Sequence, residues 1–199
     1  MIGIIDYGAG NLKSVHKALE HLGAKADIIS TPKQVECADK VILPGVGAFG
    51  KAVEAIDRLG LRKSLQQVIA DGRPFLGICL GLQLLMQASE ESPGAVGLGV
   101  LPGTVVHFPA GNKVPHLGWN IVRQNRSCAL WRNIPDDSFF YFAHSYYVRL
   151  QDETLSVGFT DYGDWIPVAL NRQALFAVQF HPEKSQKAGL MLLNNFIHL

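Results

Sequence analysis

Apolar runs of strand length alternate with stretches of helical period through the first half of the chain. Met1 to Asp6, carrying Ile2, Ile4 and Ile5, reads as a strand. After Tyr7-Gly8-Ala9-Gly10-Asn11, the apolar positions Leu12, Val15, Leu19 and Leu22 recur at helical spacing up to Gly23, a C-cap glycine. Ala26 to Ser30 predicts a second strand, and Thr31-Pro32 opens a short helical or turn segment. Lys40-Val41-Ile42-Leu43 makes a third strand that stops at Pro44-Gly45-Val46-Gly47. Phe49, Val53, Ile56, Leu61, Leu65, Val68 and Ile69 suit one or two helices broken near Gly60. A proline-led apolar run over 74–78 is the fourth strand, and helix-forming residues follow from Leu80 to Met86. This alternation predicts an α/β fold: a doubly wound, mostly parallel central sheet with helices on both faces and right-handed crossovers.

From about Gly94 the pattern changes. Glycine and proline become frequent, and Thr104-Val105-Val106, Phe139 to Ala143, Leu155 to Phe159 and Pro167 to Leu170 stand as short apolar pieces between turns, which predicts an antiparallel β addition in the second half. Ala174 to Phe180 is a further strand ending at His181-Pro182-Glu183, and Ala188, Leu192, Phe196 and Leu199 line one face of a closing helix.

Composition narrows this picture only a little. With 199 residues, 48% hydrophobic and 18% charged, the chain suits one buried core and a single domain over 1–199. A net charge of +1 without blocks of like charge gives no nucleic-acid footprint. No apolar run reaches the roughly 18 residues of a membrane span, and the first residues lack the basic region and cleavage site of a leader, so a cytoplasmic protein is expected. Cys37, Cys79 and Cys128 are widely spaced thiols without a C-x-x-C pair, so neither a disulfide framework nor a thiolate zinc site is expected. His107, His116 and His144 lack H-E-x-x-H spacing, and His16 and His21 suit solvent-facing helix positions.

Candidate chemistry centres on Gly77-x-Cys79-x-Gly81, a thiol where an apolar strand meets a helix. Flanking glycines let neighbouring chains approach a sharp strand-to-helix turn, which is the logic of a nucleophile elbow with sulfur in place of oxygen. A buried structural cysteine is the competing reading until a base is found. In a parallel sheet, function collects at the carboxyl ends of the strands. Two other strand ends there carry unusual loops, Gly45-Val46-Gly47 and His181-Pro182-Glu183. His181 and Glu183 can point the same way, the carboxylate holding the imidazole while the imidazole lowers a thiol pKa from about 8.5 and later protonates a leaving amine. The backbone amides of Val46, Gly47 and Leu80 would form an oxyanion hole. The glycine loop lacks the Walker lysine and does not match a dinucleotide fingerprint, so a phosphate cradle is the weaker reading.

The segments G-I-C-L-G-L-Q (77–83) and F-H-P-E-K (180–184) resemble the class I, triad-type glutamine amidotransferases, and the likeness covers essentially the whole chain. Pro44 to Gly47, Lys113 to Asn120 with its P-H-x-G-W-N element, and Tyr141 to Tyr146 resemble the branch of that family formed by glutaminase subunits of imidazole glycerol phosphate synthases. The resemblance implies glutamine hydrolysis at Cys79 through a thioester, with His181 and Glu183 completing a triad and no cofactor. It implies a heterodimer with a (β/α)₈-barrel cyclase subunit that takes the ammonia in histidine biosynthesis. It also implies that Gly47, Gln83, Ser145 and Tyr146 hold the glutamine, and that Trp119, Tyr141, Lys184 and Asn11 lie at the mouth facing the cyclase. A glutaminase feeding another synthase, of the pyridoxal phosphate or anthranilate type, and a non-catalytic regulatory subunit are the alternatives.

Overall fold

The computed structural model describes residues 1–8 and 11–199; Ala9 and Gly10, in the loop expected after the first strand, lie outside the described residues. β1 (Ile2–Ile5) leads to α1 (Leu12–His21), β2 (Ala26–Ile29) to α2 (Pro32–Cys37), β3 (Lys40–Gly45) to α3 (Phe49–Arg58) and α4 (Leu61–Ala70), and β4 (Phe75–Cys79) to α5 (Leu80–Gln83). Gly60 sits between α3 and α4 with φ +68°, the break that the spacing predicts. Thr31 and Gln34 form a reciprocal cap on α2, which explains why so short a helix starts at Pro32. The chain continues through β5 (Ala88–Ser89), β6 (Gly103–His107), β7 (His116–Gln124), β8 (Ser138–His144), β9 (Tyr146–Leu150), β10 (Ser156–Asp161), β11 (Trp165–Arg172) and β12 (Leu175–Val178) to α6 (Gln186–Ile197).

One sheet of nine strands runs in the order β2-β1-β3-β4-β12-β11-β10-β7-β8. From β2 to β12 neighbouring strands are parallel, and from β12 outward every pairing is antiparallel. The antiparallel addition is thus largely an extension of the central sheet, with β5, β6 and β9 forming a small second sheet. Alternation along the parallel strands feeds two cores. Ile4, Ile42, Leu76 and Ile78 pack with Val15 and Leu19 of α1 and Leu192 and Phe196 of α6. Ile5, Leu43, Phe75 and Ala177 pack with Val53 and Ile56 of α3 and Leu65 and Val68 of α4.

Three local expectations are corrected. The helix after Cys79 is a single turn, and Leu84, Leu85 and Met86 lie beyond it, fully buried, because the chain bends back into the second core. His16 does not face solvent freely: its Nε2 lies 3.0 Å from the Ala26 carbonyl oxygen. Leu199 lies past the end of α6 and is 41% exposed, so it does not join that helix's apolar face.

Candidate active site

Register places the three unusual loops side by side. Gly45 pairs with Cys79 and Val178 pairs with Ile78, so the carboxyl ends of β3, β4 and β12 are neighbours. Cys79 is the last residue of β4 and has φ 55° and ψ −108°, a backbone conformation that costs a non-glycine residue of order 1–3 kcal/mol. The flanking glycines are required by contact. A Cβ on Gly77 would lie 2.8 Å from the Gly81 carbonyl oxygen, and one on Gly81 would lie 1.8 Å from the Leu43 carbonyl oxygen. The turn is therefore packed against the end of β3.

His181 and Glu183 fall in a one-turn 3-10 segment at Pro182–Lys184 rather than in extended chain, and the two side chains still meet. His181 Nδ1 lies 2.9 Å from Glu183 Oε1, with side chains 3% and 1% exposed. The backbone of His181 is held on both sides: its amide donates to the Tyr141 carbonyl at 2.9 Å, and Ser185 Oγ donates to its carbonyl at 2.6 Å. Ser185 Oγ also accepts the Tyr141 amide at 2.9 Å, tying the turn to β8. Burial disfavours the charged ring, but hydrogen bonding and charge at Cys79 and Glu183 outweigh it and push the His181 pKa up to about 10. Sulfur and carboxylate thus both favour the protonated ring.

Asn11 has φ 77° at the start of α1, and its Nδ2 donates to Glu183 Oε1 at 2.9 Å. The structure therefore places this residue, expected at the mouth, on the carboxylate behind His181. Trp119 is 46% exposed and meets Tyr141 edge to face at 6.0 Å, with Lys184 Nζ 5.7 Å above the Tyr141 ring. These three form one surface cluster.

A cavity of about 270 Å³ opens at Cys79, lined by Val46, Gly47, Leu80 and Gln83 on one side and by Ser145 and Tyr146 on the other. Gly47 has φ +105°, and no atom lies within 4 Å of where its Cβ would be, so the loop has room to rearrange. Gln83 Nε2 donates to the Tyr146 carbonyl at 3.0 Å and to Gln179 Oε1 at 3.2 Å. Sequence reasoning missed Gln179, whose Nε2 lies 3.7 Å from Cys79 Sγ. The signal was present: a lone glutamine two residues before His181, at the end of an otherwise apolar run. It also missed Glu91, the carboxylate in the cavity wall, which accepts the Phe49 amide through Oε2 at 2.7 Å. No local pattern marks that residue. Among the described residues there is no group of three or more His, Cys, Asp or Glu side chains fit to hold a metal, and no helix long and apolar enough to cross a membrane.

Residues 3–199 match the family model described as glutamine amidotransferase class-I. A protein from Desulfitobacterium hafniense named imidazole glycerol phosphate synthase subunit HisH is 49% identical over 196 residues, covering 98% of this chain and 93% of that one. The protein of the same name from Methanothermobacter thermautotrophicus is 48% identical over 199 residues, covering 100% and 98%. Among solved structures, one titled as a glutamine amidotransferase superposes with a TM-score of 0.78 over 100% of this chain and 99% of that one, at 19% identity, a likeness of fold. The strand-end thiol with a histidine–carboxylate pair beside it stands in a chain that belongs to the class-I glutamine amidotransferases, in the family of the imidazole glycerol phosphate synthase subunit HisH.

Proposed function

We propose that this chain, as one amidotransferase domain in the cytoplasm, hydrolyses glutamine at Cys79 and hands the ammonia to a separate (β/α)₈-barrel cyclase subunit of imidazole glycerol phosphate synthase. The observation that carries the chemistry is the buried Glu183–His181 pair at the strand end next to that of Cys79, whose thiol lies in the cavity wall. The Cys79 thiolate attacks the side-chain carboxamide carbon, and His181 gives its proton to the departing nitrogen, which leaves as ammonia. His181 then takes a proton from water as that water attacks the glutamyl thioester, releasing glutamate and the thiolate. The amides of Val46 or Gly47 and of Leu80, the first residue of a helix and so without an intrahelical partner, stabilise the oxyanion in both steps. Gln83, Ser145 and Tyr146 hold the amino-acid end of the substrate, and Glu91 Oε1 supplies a negative partner for its ammonium group.

Asn11 acts as a positioning residue in this scheme. Its amide fixes Glu183 Oε1, which in turn fixes the imidazole. Asn11→Ala is expected to lower the kcat for glutamine about tenfold with KM within twofold, the size of one hydrogen bond to a charged group. Equal losses in kcat and in soluble, folded protein would make the role merely structural.

The partner's seat is the outer face of the β7–β8 ladder. Leu117, Trp119 and Ile121 project from β7 beside Ala143, Tyr141 and Phe139 of β8, with Leu117 65%, Trp119 46%, Ile121 38% and Phe139 55% exposed. Leu117 and Ala143 also line the cavity, so a subunit seated there closes the route ammonia takes. Capture from native cells should bring down a barrel cyclase, and Trp119→Ala should weaken that complex by about 2 kcal/mol, roughly 30-fold in Kd. Capture of a different synthase instead would replace this partner assignment.

A further inference from the structure

Two buried histidines, His144 in the cavity wall and His116 behind it, take no part in the proposed chemistry at Cys79. His116 on β7 and His144 at the end of β8 are registered partners, 3% and 6% exposed. His144 Nδ1 lies 2.8 Å from the Tyr146 carbonyl oxygen; a carbonyl only accepts, so that nitrogen carries a proton. Burial lowers the pKa of His144 to about 3 and that of His116 to about 4, so at neutral pH each ring is uncharged and carries one N–H. His144 Nε2 is therefore an acceptor. His116 Nδ1, 3.1 Å away, must be its donor, which leaves His116 Nε2 to accept from Asn120 Nδ2 at 3.3 Å.

The far end sets the same direction independently. Asn120 Nδ2 donates to the Asp161 carbonyl at 2.9 Å and Asn120 Oδ1 accepts the Ile121 amide at 2.8 Å, so the side-chain amide has one admissible orientation. Every donor from Asn120 to Tyr146 points one way, and both ends are fastened to backbone. The rings are clamped as well: His116 stacks on Tyr162 at 3.9 Å and on Phe142 at 4.5 Å. At the inner end the Tyr146 carbonyl also accepts Gln83 Nε2, and both residues line the cavity. The alternation of β7 explains the P-H-x-G-W-N element: His116 and Asn120 turn inward while Leu117, Trp119 and Ile121 turn outward.

We propose that His116 and His144, fixed as Nδ1–H tautomers between Asn120 and the Tyr146 carbonyl, are positioning residues that orient the Ser145–Tyr146 peptide toward glutamine. This rests on the cavity being the glutamine site. The first test needs no substrate: nitrogen NMR of the histidine-labelled full chain should find the proton of both rings on Nδ1 and both rings neutral from about pH 8 to about pH 5. A proton on Nε2 of either ring would overturn the relay. The second test uses the complex with the cyclase. His116→Phe keeps a stacked ring and removes the hydrogen bond, and should raise the glutamine KM about tenfold with kcat within twofold and ammonium-driven synthesis unchanged. His116→Asn, whose amide nitrogen can overlie Nδ1, should recover most of the loss. An unchanged KM in His116→Phe would overturn the positioning role; if that variant does not fold, the tautomer spectrum decides alone. A wild-type complex that hydrolyses no glutamine would sink the reading of the cavity, and it is told apart from failure of the relay because the tautomers are read without substrate.

Discussion

Replacing Cys79 by alanine will remove glutamine-dependent synthesis by the assembled enzyme, a loss of at least about 10⁴-fold, while synthesis driven by added ammonium salts continues at the wild-type rate. The size follows from losing the covalent route: without the sulfur, no thioester forms and His181 has no proton to exchange with a nucleophile on this chain. The fold should survive. Cys79 already holds φ 55°, and alanine carries the same Cβ, so the substitution adds no backbone strain. The side chain removed is one sulfur at a cavity wall, where the space opens into the cavity rather than leaving a sealed void. The histidine reports the change separately. Its pKa stands at about 10 because Cys79 and Glu183 outweigh burial; with Glu183 alone, the ring should release its proton at lower pH. Titration by NMR of His181 in the two proteins measures this directly. Loss of ammonium-driven and glutamine-driven synthesis together, in a folded complex, would contradict the division of labour between the chains.

Much of the frame was legible because the parallel strands are buried on both faces. Ile2 to Ile5, Lys40 to Leu43 and Phe75 to Cys79 read as near-continuous apolar runs, and such runs admit few other placements. The meeting of Cys79 with the His181 turn was legible in a weaker sense, since strand ends gather at one edge of a doubly wound sheet. β7 escaped notice for a physical reason. Its large apolar residues, Leu117, Trp119 and Ile121, face outward, so hydrophobicity marks the wrong side of the strand and the segment reads as a motif rather than an element. Contacts of long range were also illegible. The amide of Asn11 reaches Glu183 across 172 positions, and Glu91 reaches the cavity from the turn before β6, neither of which leaves a trace in local spacing. His116 is the intermediate case: spacing excluded a zinc role but could not supply the buried partner that gives the residue its purpose.

Gly81→Ala should cost more stability than any other single methyl added to this chain's elbow, at least about 3 kcal/mol, and should abolish glutamine hydrolysis in whatever protein folds. The added Cβ would lie 1.8 Å from the Leu43 carbonyl oxygen and 2.9 Å from its carbon, well inside contact distance. Those atoms are backbone of β3, which is paired with β1 on one side and β4 on the other, so they have no direction in which to yield. Relief must come from α5 moving away, and α5 carries Leu80, whose amide faces the developing oxyanion in the proposed mechanism. Gly50→Ala is the matched control. Its Cβ, in the first turn of α3, would meet only the Ser92 side chain, at 2.8 Å from Oγ and 3.0 Å from Cβ, and a side chain can yield where strand backbone cannot, so this change should cost well under the loss in Gly81→Ala. Chemical denaturation of both variants alongside the wild type measures the difference. A Gly81→Ala protein as stable as Gly50→Ala, with full activity, would mean that β3 and the elbow are not in the contact described, and the oxyanion loop and the thiol would then lack the common anchor that holds them in register.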